Sequence, residues 1–198
     1  MFTKPARAVL AFCALAALSA CGGGGERTNV PDTYKVKFET TKGDFVVEVQ
    51  KSWAPLGADR FHELITSGFY NEARFFRIVP GFVVQFGLPA DPAKLDTYQE
   101  FPDDPVKQSN SKGTLTFATR GPNSRTTQVF INLGNNARLD SMGFSPIGVV
   151  VEGMDVVEKL YSGYGEAPNQ MQIRSSGNKY LESSFPNLDG IKSATVLE

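Results

Sequence analysis

Histidine and cysteine are nearly absent from this 198-residue sequence, and their scarcity limits the chemistry it can perform. The sequence contains one histidine, His62, and two cysteines, Cys13 and Cys21, both near its start. A Ser-His-Asp triad needs a histidine beside its nucleophile, and zinc sites draw several ligands from histidine and cysteine. His62 falls within a predicted helix, where a solvated or half-packed side chain is favoured. The composition therefore favours neither a hydrolase nor a metalloenzyme, and we expect no metal and no cofactor.

The sequence also lacks an apolar run long enough to cross a bilayer. Ala8 to Ala17 is uninterrupted and apolar, but a spanning helix requires about 20 residues. This run follows Lys4 and Arg7 and precedes the small residues Ser19 and Ala20, a pattern typical of a secretory signal. We therefore expect residues 1–20 to be a signal peptide that is removed.

The segment Leu18-Ser19-Ala20-Cys21 resembles the lipobox of bacterial lipoproteins. The resemblance implies diacylglycerol on the Cys21 thiol, cleavage before Cys21 and a membrane anchor for the mature chain. The glycine run from Gly22 to Gly25 is flexible, so residues 21–33 are interpreted as a tether and residues 34–198 as the folded domain. The alternative is an ordinary signal peptide that happens to contain a cysteine.

Basic residues are not in excess. Without residues 1–20, which carry Lys4 and Arg7, 18 basic residues remain against 21 acidic residues, a net charge of −3. Nothing in this balance predicts a nucleic-acid partner. Cys13 leaves with the signal and Cys21 is lipidated, so the mature chain has neither a free thiol nor a disulfide. Its length fits one domain, which we expect to be a monomer.

Apolar periodicity predicts a mainly β fold with two or more helices. Alternation predicts strands at residues 34–40, 45–49, 74–79, 82–86, 114–119, 128–132, 147–151 and 191–197. A helical stripe predicts a first helix over Pro55–Ser67, and a second helix is predicted over Gly153–Tyr161. Many strands with two helices indicate a closed antiparallel β-barrel that helices plug or flank.

Two stretches carry weaker patterns. Residues 88–112 are long, polar and proline-rich, which is typical of a functional or mobile loop. Within that loop, Asp103-Asp104 is interpreted as a turn feature rather than as an acid/base couple. Residues 162–187 indicate only a short helix near Asn178–Phe185.

The segment from Phe75 to Gly87 combines aromatic rings with an arginine and a glutamine. Arg77 lies on the first strand of a predicted hairpin, Pro80-Gly81 forms the turn, and Gln85 lies on the returning strand. Alternation places Arg77 and Gln85 near each other across the sheet. A plain hairpin with a surface arginine is the alternative reading of this segment alone.

This segment closely resembles the signature of the cyclophilins, in which an arginine follows an aromatic pair and a glutamine follows a Pro-Gly-Phe turn. A second family segment matches residues 115–123 and continues to 128–131, and a third matches Leu139-Asp140, Gly148 and residues 151–157. Three motifs in the expected order, from Val36 to about Gly165, identify the chain as a member of the family. The implied fold is the cyclophilin-type β-barrel.

The resemblance also implies a role for each matching residue. Arg77 corresponds to the catalytic arginine, with Phe82 and Gln85 beside it in the catalytic group. The substrate-binding residues are expected to include the ring-pocket and backbone contacts Val83, Ala118, Thr119, Arg120, Gln128, Phe130, Leu139 and Phe144. Two positions depart from the family pattern. Phe76 replaces a frequent histidine, and Arg138 replaces the tryptophan of many eukaryotic members.

The implied activity is peptidyl-prolyl cis/trans isomerisation of X-Pro bonds in exported polypeptides, assisting their folding. The alternative is a non-catalytic chaperone module that binds proline-containing segments on the same fold. An unrelated ligand-carrying barrel would not explain the three ordered motifs. The expected location is a membrane facing the periplasm. The outer membrane is favoured because Gly22 is not the aspartate that retains many lipoproteins at the inner membrane.

The lipid anchor can be tested at Cys21. Cys21→Ser removes the only sulfur that could carry the diacylglycerol, so the variant should accumulate unprocessed or be released as a soluble form. The wild-type protein should appear in the membrane fraction, with the mass of a chain that begins at acylated Cys21. Wild-type protein found wholly soluble, and beginning downstream of Cys21, would rule the lipid out.

Overall fold

The computed structural model describes residues 1–2 and 30–197. All but the first two residues of the predicted signal peptide, the predicted lipidation residue Cys21 and most of the predicted tether lie outside the described residues. In the described part, no helix has the length and apolar character that crossing a membrane requires. The first strand begins at Thr33, one residue before the predicted domain boundary.

Alternating apolar residues form one eight-stranded sheet, as the periodicity predicted. Its strands are β1 Thr33–Thr40, β2 Gly43–Gln50, β3 Arg77–Val79, β4 Val83–Phe86, β5 Thr114–Phe117, β6 Val129–Asn132, β7 Pro146–Glu152 and β8 Ile191–Leu197. All paired neighbours are antiparallel, in the order β3-β4-β6-β5-β7-β2-β1-β8. The chain's first and last strands are therefore neighbours, with Lys35 opposite Leu197.

In the described residues, four α-helices and two 3₁₀ helices accompany the sheet. The α-helices are α1 Pro55–Thr66, α2 Met154–Glu158, α3 Gln170–Ser176 and α4 Asn178–Ser184, and the 3₁₀ helices are Pro92–Thr97 and Ala137–Met142. α1 and α2 lie where the sequence predicted them, although α2 ends three residues early. α4 matches the short helix expected near Asn178, whereas α3 was not predicted.

The sheet is open, so the predicted closed barrel is wrong. The end strands β3 and β8 do not pair, and a single bridge between Arg74 and Gly190 connects that side of the sheet. Two backbone hydrogen bonds flank the bridge, from Phe75 N to Asp189 O at 3.0 Å and from Ile191 N to Ala73 O at 2.8 Å.

The loop that contains Gly165 occupies the outer edge of β3, where a strand that closed the sheet would have to pair. The Ile78 backbone N–H donates to the carbonyl of Gly165 at 3.2 Å, at the edge where another strand would pair. Immediately before Arg77 the chain makes only the isolated bridge at Arg74, and Phe75 and Phe76 are buried in different apolar clusters. The strand predicted from Arg74 therefore begins at Arg77.

The main core lies between the sheet and the apolar face of α1. Ala58, Phe61, Leu64 and Ile65 are buried, which confirms the helical stripe. Phe38 is at the centre of this core: its ring stacks on Phe45 and meets Phe86 edge-on at 5.7 Å between centroids. These large buried rings are the main source of hydrophobic stabilisation.

A second, smaller core lies outside the sheet. Residues 162–188, which we call the 162–188 segment, supply most of its side chains. Its buried members are Phe76, Leu88, Ile173, Leu181 and Leu188. Gly177, between α3 and α4, has a φ of +55° and lies against Ala90, whose carbonyl accepts from Asn178 N at 3.0 Å. The loop after Gly87 is therefore packed against α3 and α4.

A buried ion pair attaches the long loop to the start of α1. The Asp104 carboxylate accepts from the backbone N–H groups of Leu56 and Gly57, at 3.0 and 2.8 Å. It also lies 3.1 Å from Nη1 of Arg125, whose guanidinium covers the Phe101 ring at 4.4 Å. The carboxylate thus caps N–H groups that a helix leaves unsatisfied. Asp104 has a structural role that goes beyond the predicted turn.

Asp104→Ala tests this ion pair. The substitution removes one of the two carboxylates beside the buried Arg125 guanidinium, leaving Asp103 Oδ1 at 3.2 Å, and it uncaps α1. We expect the free energy of unfolding to fall by about 2–4 kcal/mol. Urea denaturation measures the change. Asp96→Ala, at an exposed residue of the same loop, is the matched control and should change stability by less than about 0.5 kcal/mol. Equal effects of the two substitutions would contradict the structural role of Asp104.

Candidate active site

The β3–β4 hairpin places an arginine beside a glutamine. Arg77 is directly opposite Gln85 in the antiparallel register, and its Nη1 donates to Gln85 Oε1 at 3.2 Å. The turn has Pro80 at its second residue and Gly81, with a φ of +73°, at its third. These are the residues that a type II turn favours, and Phe82 N closes the turn by donating to Val79 O at 2.9 Å.

A second glutamine continues this polar row. Gln85 Nε2 donates to Gln128 Oε1 at 2.8 Å, and both side chains are buried. Gln128 immediately precedes β6, the strand that pairs with β4. Because buried amides are costly when they lack partners, this bond fixes both side chains in place. Arg77, Gln85 and Gln128 thus form a connected row across the sheet.

An apolar pocket opens beside this row. Val83, Phe130 and Leu139 are buried in its floor and pack with the half-buried side chains of Phe82, Ala118 and Phe144. The Phe130 and Phe144 rings meet edge-on, with centroids 5.7 Å apart. The apolar pocket has a volume of about 270 Å³ and also has Arg77, Gln85, Thr119 and Met142 in its lining. Since a cavity of roughly 150 Å³ can hold a benzene ring, this pocket has room for a proline ring.

The structure brings the predicted site residues together. Nine of the eleven line the apolar pocket, and the other two, Arg120 and Gln128, line an adjoining cavity of about 240 Å³ that we call the side groove. Phe144, which the resemblance placed in the pocket, does lie there. Their individual roles stay predictions, whereas their clustering is a property of the fold.

Glu166 is a site residue that the sequence did not reveal. Its Oε1 accepts from Arg77 Nε at 2.6 Å and lies 2.5 Å from Arg77 Nη2. The neighbouring Gly165 carbonyl is bonded to Ile78 of β3, so the backbone beside Glu166 is attached to the strand that carries Arg77. The two charged residues are 89 positions apart, and no local pattern marks the acid as a partner.

Two guanidinium groups lie near the Phe82 ring. The Arg77 carbon Cζ is 5.7 Å from the ring centroid, and Cζ of Arg138 is 4.9 Å from it. Arg138 is the residue that replaces the family's tryptophan. Its planar cation covers an aromatic face at the rim of the apolar pocket, a favourable cation–π contact.

The described residues offer no site for a metal ion, because no group of three or more His, Cys, Asp or Glu side chains lies together in this part of the chain. His62, on α1, meets the Tyr34 ring edge-on at 5.1 Å and does not line the apolar pocket. Burial lowers the pKa of His62, which favours its neutral form. Among the residues that line the apolar pocket, Arg77 is charged, and Gln85 and Thr119 are polar.

Comparison with solved structures shows that this fold is known. A crystal structure of a cyclophilin type peptidyl-prolyl cis-trans isomerase from Cryptosporidium parvum superposes with a TM-score of 0.64 at 22% identity, covering 84% of this chain and 98% of that one. The cyclophilin AquaCyp293 from Hirschia baltica superposes with the same TM-score at 19% identity, covering 84% and 74% of the two chains.

Sequence comparison gives the same result at higher identity. The peptidyl-prolyl cis-trans isomerase of Acinetobacter baylyi is 32% identical over 136 residues, which cover 63% of this chain and 70% of the relative. Peptidyl-prolyl cis-trans isomerase B of Escherichia coli is 34% identical over 139 residues, covering 63% and 82%. The family described as cyclophilin type peptidyl-prolyl cis-trans isomerase/CLD matches residues 35–178. With the pocket and its arginine in place, this match shows that the chain belongs to the cyclophilin-type peptidyl-prolyl cis-trans isomerase family.

Proposed function

We propose that this chain isomerises X-Pro bonds in exported, unfolded or partly folded polypeptides, with Arg77 as its catalytic residue. Family membership and the isomerase relatives support the activity. The observation that carries the assignment to Arg77 is its place at an apolar pocket large enough for a proline ring, where Gln85 fixes its guanidinium.

The reaction needs no nucleophile, metal or cofactor because no bond breaks. Resonance gives the peptide C–N bond double-bond character and a rotation barrier of about 18–20 kcal/mol. Proline reduces the preference for trans but leaves the exchange slow, over tens to hundreds of seconds. A catalyst therefore has to stabilise the twisted amide, in which the nitrogen lone pair is localised and accepts a hydrogen bond well.

Arg77 can supply that hydrogen bond. A guanidinium has five N–H donors in one plane. Glu166 engages Nε and Nη2, and Gln85 engages Nη1, so each Nη nitrogen retains a hydrogen for the substrate. Because the planar amide nitrogen is a poor acceptor, the bond forms chiefly in the transition state, which is the requirement for catalysis.

Positioning supplies the rest of the rate enhancement. A hydrogen bond to a charged group contributes about 1.5–3 kcal/mol, which corresponds to roughly tenfold to a hundredfold in rate. Val83, Phe130 and Leu139 would hold the proline ring while the flanking chain lies along residues 118–120, and Gln85 and Gln128 would bond its backbone. This arrangement limits the substrate to geometries near the twisted state.

A non-catalytic chaperone module that binds proline-containing segments is the second candidate. The apolar pocket alone would serve such a module. It would not need an arginine fixed by both a glutamine and a carboxylate, and this fixation favours the enzyme.

The cellular setting is also part of the proposal. We infer that a lipid on Cys21 anchors the protein as a monomer to a membrane, with the outer membrane favoured and the domain facing the periplasm. The basic, apolar and small-residue pattern of residues 1–20 and the lipobox resemblance support this inference. In that compartment the substrates would be proline-containing segments of proteins that are still folding.

Arg77→Ala should reduce kcat/KM for a proline tetrapeptide at least tenfold. The reason is that the guanidinium serves the transition state and lines the apolar pocket without belonging to either apolar core, so its loss should cost little stability. A protease-coupled isomerisation assay measures the rate, and thermal unfolding checks that the fold is kept. Full activity in the variant, or its unfolding, would contradict the role given to Arg77.

Glu166→Gln tests the carboxylate as a positioning residue. Losing the ion pair frees the guanidinium to rotate, so kcat should fall roughly threefold to tenfold while KM changes little, because the pocket that binds the ring is intact. Glu182→Gln is the matched control, since Glu182 forms a similar exposed ion pair with Arg74 at 3.2 Å and lines neither the apolar pocket nor the side groove. A rise in kcat for Glu166→Gln would show competition with the substrate and contradict the positioning role.

A further inference from the structure

The side groove continues the apolar pocket along the protein surface. Gln85, Ala118 and Thr119 line both cavities, so a peptide with its proline in the apolar pocket would place neighbouring residues in the groove. One wall of the groove is formed by residues from the 118–128 stretch. The opposite wall is formed by α3.

The 162–188 segment builds this second wall. Ile173 of α3 is buried in the second core with Phe76, while Gln170 and Arg174, one helical turn apart, line the groove. Asn169 caps α3 by accepting from Met171 N at 2.9 Å and Gln172 N at 3.2 Å. The wall is therefore fixed by packing and capping on the side away from the groove.

The groove carries positive charge on both walls. Arg174 is half-buried, and its guanidinium has no hydrogen bond or salt bridge to any residue among 30–197. Arg120, on the facing wall, is exposed and lies 2.7 Å from the carboxylate of Glu100. Burial and the nearby Arg120 charge both lower the pKa of Arg174, which indicates that no carboxylate compensates it. An arginine nevertheless remains charged at neutral pH.

The Arg174 guanidinium has no negatively charged partner in the lining of the side groove. The groove lining contains two arginines, several neutral polar side chains and no acidic residue. A half-buried guanidinium without a partner has lost part of its hydration, and a carboxylate can restore its hydrogen bonds in a bidentate geometry.

We propose that the side groove is a subsite for an acidic side chain of the substrate, located within three residues of the proline and bound between Arg174 and Arg120. The proposal rests on the isomerase function above and adds a substrate class to it: X-Pro segments that carry a nearby aspartate or glutamate. The selective residue is Arg174, because Arg120 already has Glu100 as a partner.

A matched peptide series tests the proposal with the full chain. Glutamate and, separately, glutamine are placed at each of the three positions before and after proline in an alanine background, and exchange NMR measures the catalysed cis/trans rate of every peptide. The Glu/Gln ratio of kcat/KM should reach about three to five at one or two adjacent positions on one side of proline, as expected for a solvent-accessible ion pair. The ratio should decline towards one in 1 M salt.

Variants of Arg174 assign the effect to the groove. Arg174→Gln should bring the Glu/Gln ratio close to one, and Arg174→Glu should bring it below one at the same position, because like charges then repel. Lys179→Gln is the control. It removes the same charge from an exposed position on α4, in the same segment, and should keep the wild-type Glu/Gln ratio. Circular dichroism identifies any variant that fails to fold. If one Arg174 variant does not fold, the Glu/Gln ratio of the other variant tests the proposal.

Each outcome separates this proposal from the function it rests on. Normal catalysis with a Glu/Gln ratio of one at all six positions would overturn the acidic subsite and leave the isomerase intact. A glutamate preference that persists in both Arg174 variants would also overturn it. No acceleration of any peptide would instead overturn the isomerase function itself.

Discussion

The register of the β3–β4 hairpin is the constraint on which the rest of the site depends. Because Arg77 is directly opposite Gln85, both side chains lie on the same face and can bond. A slip of one residue would turn the guanidinium to the other face of the sheet. The Pro80-Gly81 turn fixes this register, and pairing of β4 with β6 then places Gln128 and Phe130 beside Gln85. A short turn thus determines the geometry of a site that spans three strands.

The 162–188 segment flanks Arg77 on the side away from the hairpin partner and fixes its position further. It covers Phe76, the residue immediately before Arg77, and it occupies the edge of β3 through Gly165. It also supplies Glu166 to the guanidinium and Arg174 to the side groove. The 162–188 segment therefore bonds to the end strand β3, positions the Arg77 guanidinium and forms one wall of the side groove. The loop after Gly87 packs against the same segment, through the bond from Asn178 N to Ala90 O.

Sequence patterns predicted the parts of the molecule that depend on local periodicity. Alternation or helical spacing predicted the α1 stripe, the hairpins and the strand at residues 191–197. The resemblance named eleven site residues, and in the structure these line two adjoining cavities. Closure of the sheet was predicted wrongly because the choice between β8 and Gly165 as a partner for β3 depends on contacts about 90 to 115 residues apart. α3 was missed because its buried Ile173 has no apolar residue three or four positions away, whereas Leu181 of α4 has Phe185. Glu166 was missed because an exposed acid in a loop carries no pattern until its partner is known.

The pairing of β1 with β8 has a consequence for how the chain reaches its native state. The first strand is complete by Thr40, but its outer partner begins only at Ile191, so this pair closes a loop of about 150 residues. Contacts of such high sequence separation make folding slow, because the entropy of loop closure is lost before the contacts form. Until β8 arrives, β1 presents an unpaired edge that could join with another chain. The nascent domain therefore cannot complete its sheet before β8 has emerged, and until then it stays vulnerable to aggregation.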